Sequence, residues 1–252
     1  MQETIRFLES IIVILGKVSI AVLTISIIMA FLNYRYLNSA LKFFLGFCVV
    51  RLMVSLLVQI LFWALKVYGD FWLPIFQKLD IHNFNFTSIL WHINNFGLLG
   101  WYFSLILVKN KISIVVRNIS IFLFIVSIIN YFFIEGYKYQ SVFNSTSSSI
   151  FCFLLPLIHL WFLYNDMESK VPLVKNTYFW ISLGLIIPNL IGLFLHFTGK
   201  KIETTDKVLF VKLNMVHDLF QIVGFILIAV GFYYARYTKY LPQKTTTLLP
   251  PQ

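Results

Sequence analysis

Hydrophobic residues run along this chain in seven long stretches, roughly 8–32, 41–66, 87–108, 113–134, 142–164, 177–198 and 208–235. Each comes close to or exceeds the roughly 20 residues that carry a helix across the hydrocarbon core of a bilayer. In that medium a helix satisfies its own backbone hydrogen bonds. The pattern therefore predicts an all-α polytopic membrane protein, with seven transmembrane helices in one bundle over residues 1–240 and a short flexible tail at 241–252. Most connections are short. The longest, "VYGDFWLPIFQKLDIHNFNF" (67–86), reads either as a plain loop or as an interfacial amphipathic segment with Phe71, Trp72, Ile75 and Phe76 facing lipid.

Composition strengthens this picture. The chain has 252 residues, 59% of them hydrophobic and 12% charged, against about 25% charged in soluble domains. A net charge of +10 raises nucleic acid as a partner. The basic residues, however, sit at the ends of apolar stretches, where they anchor and orient helices, and do not interleave with exposed aromatics. Cys48 and Cys152 both lie inside apolar stretches and form no CxxC motif, so they read as small core residues. The start "MQETIRFLESIIVILGK" lacks a cleavage pattern and reads as the beginning of the first span.

Orientation follows from Lys and Arg in the loops. The first, third and fifth loops and the tail carry ten, from Arg35 to Lys244, and the opposite side carries eight, from Arg6 to Lys212. The dense loop "VKNKISIVVR" tips the balance toward an outside N-terminus and a cytoplasmic C-terminus. The sequons at Asn85, Asn118 and Asn144 read as chance matches, and the Ile/Phe/Asn/Lys bias reads as an AT-rich bacterial genome. That places the chain in a bacterial inner membrane.

Ionisable groups inside a span are costly and mark functional positions by default. Here they are Lys17, Arg51, His92, His159, His196, His217 and Asp218. Arg51 falls near mid-span and His159 in the inner half. Lys17, His92, His196, His217 and Asp218 fall in the outer half, with Asn94, Asn95 and Gln221. At helical spacing His92 and Asn95 share a face while Asn94 points elsewhere, and His217, Gln221 and Gly224 share another. Two readings stand. These groups pin helices together, helped by close approach at Gly97, Gly100, Gly224 and Gly231. Alternatively His92, Asn95, His196, His217, Asp218 and Gln221 line an outward pocket between the third, sixth and seventh spans. Arg51 could pair with Asp218, and Lys17 with Glu9. Adjacent on a helix, His217 and Asp218 need not pair with each other.

Several chemistries find no motif. There is no HExxH, CxxCH, GxSxG or phosphate loop, so no enzyme, metal centre or cofactor is expected. No lysine lies between Lys212 and Arg236 to hold retinal. The third and seventh spans echo each other, with a histidine, an amide and then glycines, but the other spans do not complete the internal repeat common in transporters. Pro156 and Pro188 predict kinks.

The segments "FNSTSSSIFCFLLPLIHLWFLYN", "FWISLGLIIPNLIGLFLHF" and "LFVKLNMVHDLFQIVGFILIAVGFYYAR", with "LWHINN" in the third span, resemble a broad group of uncharacterised bacterial seven-helix membrane proteins. That group is similar to the seven-helix sensor regions of some histidine kinases. The resemblance covers most of the chain and implies signalling. The tail "YTKYLPQKTTTLLPPQ" is too short for a kinase domain, so a separate membrane or cytoplasmic signalling protein is the expected partner. A structural subunit of a larger complex and a small transporter are the alternatives.

Overall fold

The computed structural model describes residues 2–78, 84–107, 111–136, 141–165 and 172–238. The predicted tail at 241–252 and several orienting charges, among them Lys109, Lys138, Lys170, Lys239 and Lys244, lie outside the described residues. Among those described there are helices and no strand. In chain order they are α1 (Gln2–Leu32), α2 (Ser39–Val67), α3 (Gly69–Lys78), α4 (Ser88–Ile93), α5 (Gly100–Ile106), α6 (Lys111–Ile129), α7 (Val142–Asn165), α8 (Thr177–Thr205) and α9 (Lys207–Thr238). A π-helical turn, Asn94–Leu99, joins α4 to α5, and a second, Asn130–Ile134, extends α6.

Six of these helices are long and apolar enough to cross a membrane: Phe7–Leu32, Ser39–Val67, Lys111–Ile134, Val142–Asn165, Thr177–Gly199 and Lys207–Tyr237. None buries more than 33% of its most apolar window inside the protein. Met53 (65% exposed), Phe122 (64%) and Trp161 (65%) point outward. Apolar surface on this scale needs an apolar solvent, so the chain is a multi-pass membrane protein. The third predicted span is divided into α4, the π turn and α5, so no single α-helix there reaches the length of the six.

Helix ends follow local chemistry. Asn38 caps α2 by accepting from Leu41 N–H at 3.0 Å, and Asn176 caps α8 by accepting from Tyr178 N–H at 2.9 Å. The sixth loop expected around 199–207 is almost absent. Helix α8 runs on through "GKKIETT" to Thr205, and Asp206 then starts α9 by accepting from Leu209 N–H at 3.0 Å. Lys and Glu are good helix formers, and a capping aspartate lets one helix begin where the other stops. Segment 67–86 contains the short helix α3, whose Phe71 and Leu73 are exposed (64% and 52%).

Helix α9 packs between α1 and α8, α7 packs on α8, and the α4–π–α5 run packs against α2, α6 and α7. The α8–α9 contact is backbone on backbone. A Cβ at Gly184 would lie 2.6 Å from Gly224 O, and one at Gly224 would collide with Gly184 O. Further along, a Cβ at Gly231 would lie 2.9 Å from Ile181 Cγ1.

Burial is uneven along the helix axes. The core takes the C-terminal half of α1 (Leu23, Ile27, Ala30), the N-terminal half of α2 (Leu41, Phe44, Phe47), α5 (Tyr102, Phe103), the start of α8 (Ile181, Leu185) and the end of α9 (Ile228, Phe232, Ala235). With alternating helix direction these segments share one end of the molecule. Phe44 anchors them, with ring centroids 4.8 Å from Tyr102, 5.5 Å from Phe47 and 5.9 Å from Phe232. At the opposite end, the second half of α2 buries only Val54. Near that end Glu135 follows the second π turn and accepts from Asn130 Nδ2 (2.7 Å), Ser141 Oγ and Phe143 N–H (3.3 Å).

Two outcomes follow. Replacing Gly224 with Val forces α8 and α9 apart and costs about 1–3 kcal/mol, typical of overpacking. Equilibrium unfolding in mixed micelles measures it, and a wild-type stability refutes the close contact. For Glu135, partial burial raises the carboxyl pKa, but the hydrogen bonds from Ser141, Asn130 and Phe143 outweigh it and hold it below the ordinary value. Its stabilisation is therefore present above the unfolded carboxylate pKa and is lost as pH falls through the lower folded value. The thermal midpoint of wild type should exceed that of Glu135→Gln at pH 7, and the gap should close in acid. A gap independent of pH contradicts this.

Candidate functional site

Polar side chains first act as ties between helices. Ser26 Oγ donates to Phe225 O at 2.8 Å, joining α1 to α9. Asn94 Nδ2 donates to Phe47 O at 3.1 Å and Asn95 Nδ2 to Ser148 Oγ at 2.7 Å, joining the third segment to α2 and to α7. His159 Nδ1 and Ser182 Oγ lie 2.8 Å apart between α7 and α8. Asn144, in one of the sequons, is fully buried and donates to Ser127 O at 3.1 Å.

The π turn decides how the "WHINN" residues divide. A π turn inserts one residue into the helical repeat, so the spacing of an α-helix no longer holds across it. His92 and Asn95, predicted on one face, have different neighbours. Asn94 faces α2, Asn95 faces α7, and His92 stacks over Phe96 with centroids 6.5 Å apart. His92 is only 5% exposed, and neither ring nitrogen has a hydrogen-bond partner.

The outer-half histidines form a string. His196 of α8 lies in the neighbourhood of both His92 and His217. His217 lies against Gly192 of α8, where an added Cβ would sit 3.5 Å from its Nε2. The proposed Arg51–Asp218 pair is not formed. Asp218 Oδ1 lies 3.7 Å from the Nδ1 of the adjacent His217, too long for a hydrogen bond and an ion pair only with a protonated imidazole. Lys17 is exposed and has no ion pair with Glu9. Among the described residues no group of three or more His, Cys, Asp or Glu could hold a metal ion. Cys48 and Cys152 are buried and free.

Beside this string lies a partly open cavity of about 400 Å³. It sits between α1 (Gly16, Ser19), α2 (Arg51, Ser55, Gln59), the start of the third segment (Ser88, Trp91) and α9 (Gln221, Phe225). Of the residues singled out from sequence, Arg51 and Gln221 line it. Lys17, His92, Asn95, His196, His217 and Asp218 do not, although Lys17 adjoins Gly16 and His92 adjoins Trp91. Arg51 is half-buried, with its guanidinium carbon 5.2 Å from the Trp91 ring centre and 5.3 Å from that of Phe225. Among the described residues no carboxylate or hydrogen-bond acceptor takes its N–H groups. Ser88 Oγ is also buried without a partner.

The sequence held a signal for this wall. Arg51, Ser55 and Gln59 recur at i, i+4 and i+8, a polar stripe on one face of an otherwise apolar helix. Trp91, in contrast, has no distinguishing pattern. No protein-family model, curated protein or solved structure matches the chain.

Asn94 and His92 should respond oppositely to substitution. Asn94→Leu removes the tie to Phe47 O and costs about 1 kcal/mol, in the range of intramembrane hydrogen bonds. His92→Phe keeps the stack on Phe96, removes two unpartnered nitrogens and leaves stability unchanged or raised. Thermal unfolding of the purified variants in one detergent ranks them, and the reverse order refutes the division of roles.

Proposed function

We propose that this chain is a non-enzymatic, seven-span sensor of the bacterial inner membrane. It binds a small molecule or lipid in the cavity around Arg51 and passes the resulting helix shift to a separate cytoplasmic partner. The observation that carries this reading is the cavity itself, a partly open space with a cation in the loosely packed half of a membrane protein. The opposite half is closely packed around Phe44. Ligand-dependent closure of the open half can tilt α1, α2 and α9 as levers about that packed end. In this reading the run from Ser88 to Ile106 serves as the seventh span of a single bundle. Its 19 residues extend about 28 Å at the α-helical rise, close to the hydrocarbon thickness of about 30 Å. The N-terminus and the cavity then face outward, and the loop at 33–38 faces the cytoplasm.

A second reading, a small transporter, draws on the position of Arg51 near the middle of α2. In that case the cavity would be a substrate site opened in turn to both faces.

Native purification followed by mass spectrometry tests the sensor reading. A small molecule or lipid should co-purify with wild type. It should be lost from Gly16→Phe, because an added Cβ at Gly16 meets nothing within 4 Å and the larger side chain fills the cavity. A stoichiometric protein partner with no ligand sinks the reading in favour of an accessory subunit. Flux of the bound molecule across proteoliposomes, abolished by Gly16→Phe, replaces the sensor with the transporter.

A further inference from the structure

The chemistry of the cavity wall narrows what it holds. A guanidinium has five N–H donors and no acceptor. Two aromatic rings from different helices, Trp91 and Phe225, lie against Arg51. They stabilise the cation through their faces but leave its N–H edge without a partner. A charge within a span is normally paired or bonded to acceptors, yet none of the described residues supplies one. The other polar lining groups are hydroxyls and amides, Ser19, Ser55, Thr87, Ser88, Gln59 and Gln221, which both donate and accept, with no carboxylate among them. Arg51 thus makes the wall positive.

Apolar groups complete the lining, with Ile20 and Leu23 of α1, Val58 of α2 and Phe225 of α9. The volume of about 400 Å³ falls within the roughly 300–1,000 Å³ of small-molecule sites. It suits a head group with part of one chain and is too small for a whole two-chain lipid. The walls are spanning helices with exposed apolar side chains such as Val18 and Leu57, so a tail can continue into the bilayer.

We infer that the cavity binds an oxyanion, carboxylate or phosphate, carried on an apolar tail. The oxyanion meets the N–H edge of Arg51, where planar, bidentate pairing is available. This rests on the cavity being the ligand site proposed above, and it adds the charge and class of the ligand.

The test compares ligands that share a tail and differ in the head. The full chain in neutral detergent is titrated at pH 8 with laurate, dodecanol, phosphatidylglycerol, phosphatidylcholine and inorganic phosphate, with binding read by native mass spectrometry. Wild type should favour laurate over dodecanol, or phosphatidylglycerol over phosphatidylcholine, by about thirtyfold or more, the least expected when a buried charge pair loses one partner. The tighter of laurate and phosphatidylglycerol shows whether a free acid or a lipid head group is the natural source. Arg51→Gln should abolish the preference, and Arg51→Lys should reduce it without reversing it. Gly16→Phe, which leaves Arg51 intact, should abolish binding of all the tailed ligands. That variant and the wild-type ligand pairs decide the matter even if Arg51→Gln does not fold. Dodecanol binding as tightly as laurate together with phosphatidylcholine as tightly as phosphatidylglycerol, or a preference surviving in Arg51→Gln, overturns the oxyanion while leaving the cavity as a ligand site. Inorganic phosphate competing at the same concentration overturns the tail. No binding by any ligand, with Gly16→Phe indistinguishable from wild type, overturns both the oxyanion and the sensor.

Discussion

The contact between Gly184 and Gly224 governs where the other helices can lie. Pro188, four residues after Gly184, has no N–H, so the Gly184 carbonyl loses its helical donor. Gly224 takes up the vacated position. The direction a Cβ would occupy there points at Gly184 O, and the Pro188 ring lies close by, 3.1 Å from that direction. A Cα hydrogen therefore faces the freed carbonyl, a weak hydrogen bond that recurs where helices approach closely. With α9 drawn onto α8, the next residue, Phe225, is turned toward α1 and α2. Its carbonyl accepts from Ser26, and its ring lies against Arg51. One turn earlier, Gln221 reaches the cavity. A single glycine thus connects the packing of the last two helices with the wall of the candidate site.

The two ends of the molecule consequently differ in physical character. One end is filled by interlocking aromatic rings around Phe44 and leaves little free volume. Close-packed regions of this kind move as units, because repacking them requires discrete rearrangement. The other end has exposed helix faces, the cavity and the second π turn, with hydrogen bonds such as that from Asn144 to Ser127 O between its helices. Such hydrogen bonds contribute modestly in a membrane, about 0.6 kcal/mol on average. Spacing there is held less firmly than at the packed end, and that contrast is the physical ground on which the proposed sensing role rests.

The helices were largely legible in the sequence because the signal for a span is gross hydrophobicity, which needs no knowledge of neighbours. Six spans appear close to the predicted bounds. The divided third segment was not legible, since the π turn at Asn94–Leu99 coincides with bonds from Asn94 to α2 and Asn95 to α7 that a single-helix pattern does not contain. The missing sixth loop shows a different limit. Charged residues in "KKIETT" end the membrane-compatible stretch but not the helix, and hydropathy reports only the first. At the site, the Arg51, Ser55, Gln59 stripe could be read from spacing; the facing of Gln221 could not, because His217 and Gly224, expected on its face, lie against α8 while Gln221 lines the cavity with α1 and α2. Which rings would lie against the guanidinium could not, because Trp91 and Phe225 come from helices whose rotation depends on the Gly184–Gly224 contact and on the π turn.

What separates structural from functional polarity inside these spans is the state of the donors. Asn94 and Asn95 each have an amide oxygen without a partner, yet each already uses its NH₂ group to hold a neighbouring helix. Their burial is explained by that bond. His159 is explained in the same way by Ser182. Arg51 and Ser88 have no such account. Removing a donor from water without an acceptor costs free energy, and an ionised group costs more than a hydroxyl. Both groups line the same cavity. His92, unpartnered as well, is the next residue along from Trp91 and stands at the head of the His196–His217 string. The polar residues of "WHINN" thus divide: Asn94 and Asn95 hold the third segment in place, and His92 adjoins the cavity wall at Trp91.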